Sequence, residues 1–140
     1  MEKNVVDPNL TLLLVEDNDI DVMVLQRLLR RQRIDLPIVH VNNGEEALEL
    51  LRTPTGPTRL APPYVILLDL NMPRMNGFEF LDELADDPTF AEVPIFILST
   101  SRNVHDQETA KGYRIRGYFV KPIDERALSE VLGTSEPGET

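Results

Sequence analysis

Hydrophobic residues in this chain are concentrated in five short runs, which are separated by longer segments of mixed polarity. The first run, LTLLLV, is apolar at almost every position, which is typical of a strand buried on both faces of a sheet. We predict strands at all five runs, namely Leu10–Val15, Ile38–Val41, Tyr64–Asp69, Pro94–Ser99 and Gly117–Val120.

A helix is predicted after the first strand and another after the second. Asn18 or Asp19 can cap the first helix, because short polar side chains accept hydrogen bonds from free backbone N–H groups. Asn43 and Glu46 have the spacing of a capping box for the second helix. The apolar side of the first helix is predicted from residues at helical spacing, namely Ile20, Met23, Val24, Arg27 and Leu28.

Three further helices complete the pattern, at about Asn76–Asp86, at Asn103–Lys111 and from Asp124 to the helix-stop residue Gly133. Strand and helix therefore alternate five times along the chain. This alternation with apolar strands predicts an α/β fold, a doubly wound (βα)5 arrangement in which helices cover both faces of a five-stranded parallel sheet.

One domain is predicted over residues 10–133. Residues 1–9 would form an N-terminal extension, and residues 134–140 would form a disordered tail. Residues 53–63 are rich in proline, which removes backbone donors, so a surface loop is expected there. No second domain is predicted in the 140 residues.

Composition excludes several classes of protein. The chain has no cysteine, which excludes disulfides and thiolate chemistry. Its net charge of −10 disfavours direct binding of nucleic acid. No apolar run approaches the length of a membrane span, and the first residues lack a signal-peptide core, so we expect a cytoplasmic protein that does not bind membranes.

Polar side chains follow the predicted strands at the points where the strands end. Glu16 and Asp17 follow the first strand, Asp69 ends the third, Ser99 ends the fourth, and Lys121 follows the fifth. Because the carboxyl ends of parallel strands meet at one edge of a sheet, these five residues are expected to converge.

The chemistry of this set indicates phosphoryl transfer. Three neighbouring carboxylates repel one another unless a cation lies between them, and oxygen ligands without His or Cys suit Mg²⁺. A carboxylate can act as a nucleophile and form an acyl phosphate. Lys121 and Ser99 add groups that bind phosphoryl oxygens, so Asp69 is predicted to be phosphorylated.

At these residues the chain resembles the receiver domain of two-component response regulators, which is a CheY-like family. The matching segments are LLLVEDN, VILLDLNMPRMNGFEF, VPIFILSTS and GYFVKPI. The resemblance implies a flavodoxin-like receiver fold. The 53–63 loop and the segment after Asp69 are similar to stand-alone regulators that are paired with bacterial phytochromes.

The resemblance also implies a role for each site residue. Asp69 is the phospho-acceptor, and Lys121, joined to Pro122 by a cis bond, assists it. Mg²⁺, which Mn²⁺ or Ca²⁺ could replace, would be held by Asp17, Asp69, the backbone carbonyl of Asn71 and, through water, Glu16. The switch residues would be Ser99 and Tyr118.

Partners follow from the same resemblance. A sensor histidine kinase, of which a bacterial phytochrome is one candidate, would donate the phosphoryl group. Leu36, Pro37 and the apolar side of the first helix would help to dock it. The face made by the fourth helix, the fifth strand and the fifth helix would change on phosphorylation, and a downstream protein of unknown identity would recognise this output face. A homodimer is a further expectation. Arg114 and Ile115 replace the Gly-Ala pair of many members, so the geometry of the output face is not carried over.

Two other functions stay open on the sequence. The first is a small Mg²⁺-dependent phosphatase with an aspartyl-phosphate intermediate, although Asn71 stands where such enzymes often carry a second acid. The second is a receiver-like binding module that is never phosphorylated. A flavodoxin-like cofactor binder is set aside, because EDNDID after the first strand would repel phosphates. His40 is expected on an exposed face of its strand, without a role.

Overall fold

The computed structural model describes residues 6–53, 60–72, 74–100 and 104–133. The predicted tail, most of the predicted proline-rich loop and the first five residues of the predicted N-terminal extension lie outside these ranges. Across the described residues, no helix has the length and apolar character needed to cross a membrane.

Five parallel strands form one sheet in the order β2-β1-β3-β4-β5, which confirms the predicted fold class. Neighbouring strands are in parallel register throughout, as in the pairing of Val15 with both Val41 and Leu68. The strands are β1 (Thr11–Val15), β2 (Ile38–Val41), β3 (Tyr64–Leu68), β4 (Ile95–Ser99) and β5 (Gly117–Val120). The predicted ends at Leu10, Asp69 and Pro94 each lie one residue outside the observed strand.

Helices follow the strands as the alternation predicts. They are α1 (Asp19–Arg31), α2 (Gly44–Leu51), α3 (Gly77–Ala85), α4 (Val104–Ala110) and α5 (Glu125–Val131), with a 3-10 turn at Pro88–Phe90.

The core has two halves, one on each face of the sheet. Alternate strand residues point to opposite faces, so Leu12 and Leu14 pack with α1 and α5, whereas Leu13 and Val15 pack with α2, α3 and α4. All four of these leucine and valine side chains are buried. Covering both faces explains why the strands are apolar at nearly every position.

The predicted apolar side of α1 is wrong except at Leu28, which is buried as predicted. Ile20 is 69% exposed and Met23 is 47% exposed, whereas the side chains that pack on the sheet are Val22, Leu25, Leu28 and Leu29. The helix has apolar residues on more than one face, and the spacing beginning at Ile20 follows a face that is exposed at Ile20 and Met23 and reaches the core at Leu28. Of the predicted docking residues after α1, Pro37 is exposed but Leu36 is buried.

The helix caps refine the predictions at two places. Asn18, not Asp19, caps α1, and its Oδ1 accepts hydrogen bonds from the N–H groups of Ile20 at 2.8 Å and Asp21 at 3.3 Å. At α2, Asn43 accepts from the N–H of Glu46, but Glu46 accepts from Asn42, so the predicted capping box is only half formed. A complete box lies instead at the start of α3, between Asn76 and Glu79.

Candidate functional site

Three carboxylates meet where the strand order reverses. Glu16 and Asp17 follow β1, and Asp69 follows β3, which is the direct neighbour of β1. One carboxylate oxygen from each residue lies within 4.8 Å of the others. Ligand sites of doubly wound sheets are found at this reversal, outside the carboxyl ends of the strands.

Backbone hydrogen bonds hold Asp69 at the end of its strand. Its N–H donates to the carbonyl of Val15 at 3.0 Å, which continues the β1–β3 ladder into the site. The start of α3 packs on the same segment, and the N–H of Gly77 donates to Leu70 at 3.0 Å. A Cβ at Gly77 would lie 2.8 Å from the Asp69 carbonyl oxygen, so glycine is needed for this close approach.

Lys121 places its ammonium among the acids. Its Nζ lies 2.9 Å from Glu16 Oε1, 2.7 Å from Asp21 Oδ2 and 3.7 Å from Asp69 Oδ2. The side chain of Lys121 is only 9% exposed, so these contacts are poorly screened by water. The bond to Pro122 is cis, as the resemblance implied.

Asp21 was missed by sequence reasoning. It lies in the first turn of α1, which also contains the acid Asp19. The sequence alone offered no reason to prefer Asp21 to its acidic neighbour Asp19.

Burial dominates the acid–base properties of the site. It raises the pKa of Glu16 from the usual 4.5 to about 7, against the lowering effect of the hydrogen bond to Lys121. Burial likewise raises the pKa of Asp69, although Lys121 opposes this shift. Burial lowers the pKa of Lys121, but its hydrogen bonds to Asp21 and Glu16 outweigh that effect and leave the pKa raised.

A cavity of about 420 Å³ opens above these groups. We call it the acidic cavity, and its walls are Glu16, Asp17, Asn18, Asp69, Asn71, Thr100 and Lys121. All of these walls offer polar atoms, and the three carboxylates are oxygen donors of the kind that hard cations prefer. The donor set therefore fits a divalent cation, which would also relieve the repulsion among the carboxylates, a smaller cause of the raised pKa values of Glu16 and Asp69 than burial.

The other predicted site residues are Asn71, which lines the acidic cavity, and Ser99 and Tyr118, which are not among the walls given above. Asn71 is exposed, and its N–H donates to Asp69 Oδ1 at 3.4 Å. Ser99 is the last residue of β4 and is fully buried, whereas the next residue, Thr100, is exposed and lines the cavity. Tyr118, on β5, is partly buried and packs against the core half that contains α3 and α4. The switch roles of Ser99 and Tyr118 stay predictions.

His40 differs from its predicted place as an exposed residue without a role. It is partly buried on β2, and its Nε2 lies 2.6 Å from the carbonyl oxygen of Glu16. A carbonyl only accepts, so the ring donates this hydrogen bond. His40 thus helps to fix the backbone at Glu16 and Asp17. Its place on a predicted strand was the only sequence signal, because the pairing of this strand with β1 is seen only in the structure.

Known proteins share this fold and sequence pattern. Residues 12–133 match the family model described as the response regulator receiver domain. The chain is 30% identical to the response regulator Rcp1 of Synechocystis sp. over 126 residues, which cover 90% of this chain and 86% of Rcp1.

Solved structures agree with this match. The phosphorylated cyanobacterial phytochrome response regulator RcpA is 31% identical, with a TM-score of 0.73 over 91% of this chain and 98% of RcpA. The Mn²⁺-bound form of Rcp1 is 30% identical, with a TM-score of 0.71 over 90% of this chain and 91% of Rcp1. With the parallel sheet and the acidic cavity described above, these matches show that the chain belongs to the response regulator receiver domain family of two-component signalling proteins.

Proposed function

We propose that Asp69 accepts a phosphoryl group from the phosphohistidine of a sensor histidine kinase. The observation that carries this proposal is the position of the Asp69 carboxylate, which faces the acidic cavity with Lys121 and two further acids beside it. RcpA, a relative at 31% identity, has been solved in a phosphorylated form, which supports the same chemistry here.

The transfer is a displacement at phosphorus. One carboxylate oxygen of Asp69 attacks, the P–N bond to the donor histidine breaks, and a new O–P bond forms an acyl phosphate. The electron pair of the broken bond stays on the imidazole, which leaves as neutral histidine once it carries a proton. Lys121 offsets the negative charge on the transferred group, since its ammonium already lies within 4 Å of Asp69.

Mg²⁺ is the proposed cofactor, and Mn²⁺ or Ca²⁺ could replace it. Asp17, Asp69 and the backbone carbonyl of Asn71 would hold the ion directly, and Glu16 would contact it through water. Rcp1, a relative at 30% identity, has been solved in a Mn²⁺-bound form, which supports binding of a divalent ion by this chain. When bound, such an ion neutralises charge on phosphoryl oxygens. The role of this chain's residues is to supply hard oxygen ligands at the edge of the sheet.

Ser99 and Tyr118 form the proposed switch. The phosphoryl group would draw in the Ser99 hydroxyl, and Tyr118 would move toward the vacated space, which changes the surface formed by α4, β5 and α5. This is a two-state equilibrium biased by a local change of charge. Thr100 also lines the cavity and carries a hydroxyl, so Ser99→Ala and Thr100→Ala, compared for beryllofluoride affinity, test which hydroxyl contacts the phosphoryl group.

The domain bounds, the location in the cell and the partners belong to the same proposal. The domain would span residues 10–133, and the protein would act in the cytoplasm as a signalling receiver without turnover of a metabolite. Its kinase could be a phytochrome, because relatives such as RcpA are phytochrome response regulators. Its output would be a protein contact, with homodimerisation as one form of it, and the net charge of −10 disfavours nucleic acid.

Asp69→Asn tests the proposal. With radiolabelled acetyl phosphate and Mg²⁺, the wild type should become labelled and Asp69→Asn should not, because the amide is not a nucleophile. Asp35→Asn, at an exposed position in the segment after α1, makes the same chemical change elsewhere and should label normally.

Labelling of Asp69→Asn at the wild-type rate would exclude Asp69 as the acceptor. Steady release of phosphate from small phosphate esters would favour the phosphatase instead. A wild type that neither labels nor binds the phosphoryl mimic beryllofluoride would indicate the unphosphorylated binding module.

A further inference from the structure

The ammonium of Lys121 does not make its shortest contact with the proposed acceptor. Its Nζ lies 2.7 Å from Asp21 and 2.9 Å from Glu16, but 3.7 Å from Asp69. The first two distances are those of charge-assisted hydrogen bonds, and the third is longer than a hydrogen bond. The unphosphorylated protein therefore holds this lysine on α1 and the end of β1.

The two hydrogen-bonded partners differ in how readily they can release the lysine. The Glu16 side chain is 2% exposed, so losing its cation would leave a carboxylate that water cannot hydrate. The Asp21 side chain is 29% exposed and can be hydrated when the ammonium leaves. If Lys121 moves toward Asp69, Asp21 is the partner that it gives up.

The start of α1 fixes the position of Asp21 beside Lys121. The cap residue Asn18 accepts a hydrogen bond from the N–H of Asp21, so the backbone of Asp21 is held directly after the acidic pair. A carboxylate in the first turn is also favoured by the helix dipole. Asp21 thus reaches across to the loop after β5 from a well-determined position, 100 residues away along the chain.

We propose that Asp21 is a positioning residue that holds Lys121 in the unphosphorylated state and competes with the phosphoryl group for its ammonium. This inference rests on the proposed phosphorylation of Asp69. Phosphorylation adds negative charge and acceptor oxygens at Asp69, which draw the ammonium. The Asp21 pair opposes that movement, so it keeps the unphosphorylated arrangement populated.

The size of the effect follows from the exposure of the pair. Because Asp21 is partly hydrated, its net attraction for Lys121 is modest, and removing it should strengthen binding of a phosphoryl group by about two- to fivefold. The effect has the opposite sign to the loss expected if Asp21 aligned Lys121 for the phosphoryl group.

Beryllofluoride titration in Mg²⁺ tests the inference on wild type, Asp21→Asn and Asp19→Asn. Asp21→Asn keeps the size of the side chain and should bind about two- to fivefold more tightly. Asp19→Asn removes the same charge from the same helical turn, at an exposed residue, and should bind like wild type. Unchanged or weaker binding by Asp21→Asn overturns the inference, and so does an equal gain in Asp19→Asn, which would indicate a general charge effect.

Urea unfolding without any phosphoryl mimic supplies a second readout. If Asp21 holds Lys121, the effects of Asp21→Asn and Lys121→Met on the free energy of unfolding should not add, because each removes the same ion pair. Additive effects overturn the inference. If the proposed function itself is wrong, wild type would bind no beryllofluoride. The effects of Asp21→Asn and Lys121→Met on unfolding would still not add in that case.

Discussion

Two cavities of nearly equal volume differ in almost every other respect. The acidic cavity, about 420 Å³, lies at the carboxyl ends of the strands and has polar groups on all its walls. A second cavity of about 410 Å³, which we call the apolar cavity, lies near the amino end of β4. Its walls are mainly apolar and include Leu81, Leu84, Phe90, Val93, Ile95, Gly112 and Tyr113.

The difference shows that unbalanced charge, more than volume, marks the site. The apolar cavity is bounded by α3, the 3-10 turn and the segment after α4, which contribute core side chains such as Leu84, Phe90 and Tyr113. The acidic cavity instead gathers carboxylates from separate strand ends against a single lysine, and two of these acids have raised pKa values. Perturbed acids in a cleft are a common property of functional sites.

The largest expected effect comes from removing the lysine of the acidic cavity. Lys121→Met should slow labelling of Asp69 on the order of 100-fold, because a charge that stabilises the transferred group is lost. Affinity for Mg²⁺ should rise severalfold, because a cation within 4 Å of both Glu16 and Asp69 no longer competes with it. Labelling rates and Mg²⁺ titration measure both effects.

Lys111→Met is the matched control, because the Lys111 side chain is 73% exposed in a pair with Glu108. It should change neither quantity. Normal labelling of Lys121→Met, or weaker Mg²⁺ binding by it, would contradict the role given to Lys121.

The next largest effect is expected from alanine substitution of two glycines, one beside each cavity. A Cβ at Gly77 would lie 2.8 Å from the Asp69 carbonyl oxygen, whereas a Cβ at Gly112 would lie 3.4 Å from the Thr109 carbonyl oxygen. Gly77→Ala must shift the backbone at the acceptor and should lower the free energy of unfolding by about 1–3 kcal/mol and slow labelling. Gly112→Ala should stay within about 0.5 kcal/mol of wild type and label normally.

Urea unfolding gives the free energies in this comparison, and acetyl phosphate gives the labelling rates. Equal losses of stability in the two variants would mean that the close approach at Gly77 is not a special constraint. Normal labelling of Gly77→Ala would show that the acceptor tolerates the shift.

Stability of the metal-free protein should depend on pH through the buried acids. Between about pH 4.5 and 7, Glu16 keeps a proton in the folded state that it loses in the unfolded state. The folded state therefore binds more protons in this window, and the free energy of unfolding contributed by Glu16 falls as pH rises, by at most about 1.4 kcal/mol per pH unit.

Unfolding in EDTA, compared between wild type and Glu16→Gln, isolates this contribution. Between pH 5 and pH 7, the free energy of unfolding of wild type should fall relative to that of Glu16→Gln. A difference between the two proteins that does not change with pH would contradict the raised pKa of Glu16. Added Mg²⁺ should stabilise wild type more at pH 7 than at pH 5, because protons compete with the ion for the same carboxylates.

The sequence could predict the acidic cavity because its residues follow strands. Strand residues are recognised by apolar runs, and parallel strands end at the same edge, so the meeting of Asp17, Asp69 and Lys121 needs only the fold class. The two core halves follow from the same reasoning, since continuous apolar strands require cover on both faces.

Side-chain partners that depend on how a helix is rotated against the sheet could not be predicted in the same way. Asp21 and Asp19 have the same chemistry, and only the rotation of α1 on the sheet decides which of them reaches Lys121. The same rotation leaves Ile20 exposed and buries Val22, which the apolar spacing assigned wrongly. His40 contacts the Glu16 carbonyl because β2 pairs with β1, and that pairing is not visible in the sequence.

The smallest expected effect is at the rim of the apolar cavity. The Tyr113 hydroxyl donates to Asp82 Oδ1 at 2.6 Å, and this hydrogen bond is the main cause of the raised pKa of Tyr113. Tyr113→Phe removes an exposed contact but keeps the ring that stacks on Phe78, so it should cost about 1 kcal/mol or less. Asp82→Asn should bring the pKa of Tyr113 back toward its usual value, which ultraviolet titration can measure.

Labelling of Asp69 should be unchanged in both variants, because neither touches the acidic cavity. A change in labelling with either variant would mean that the two cavities are energetically coupled and that the apolar cavity takes part in the switch.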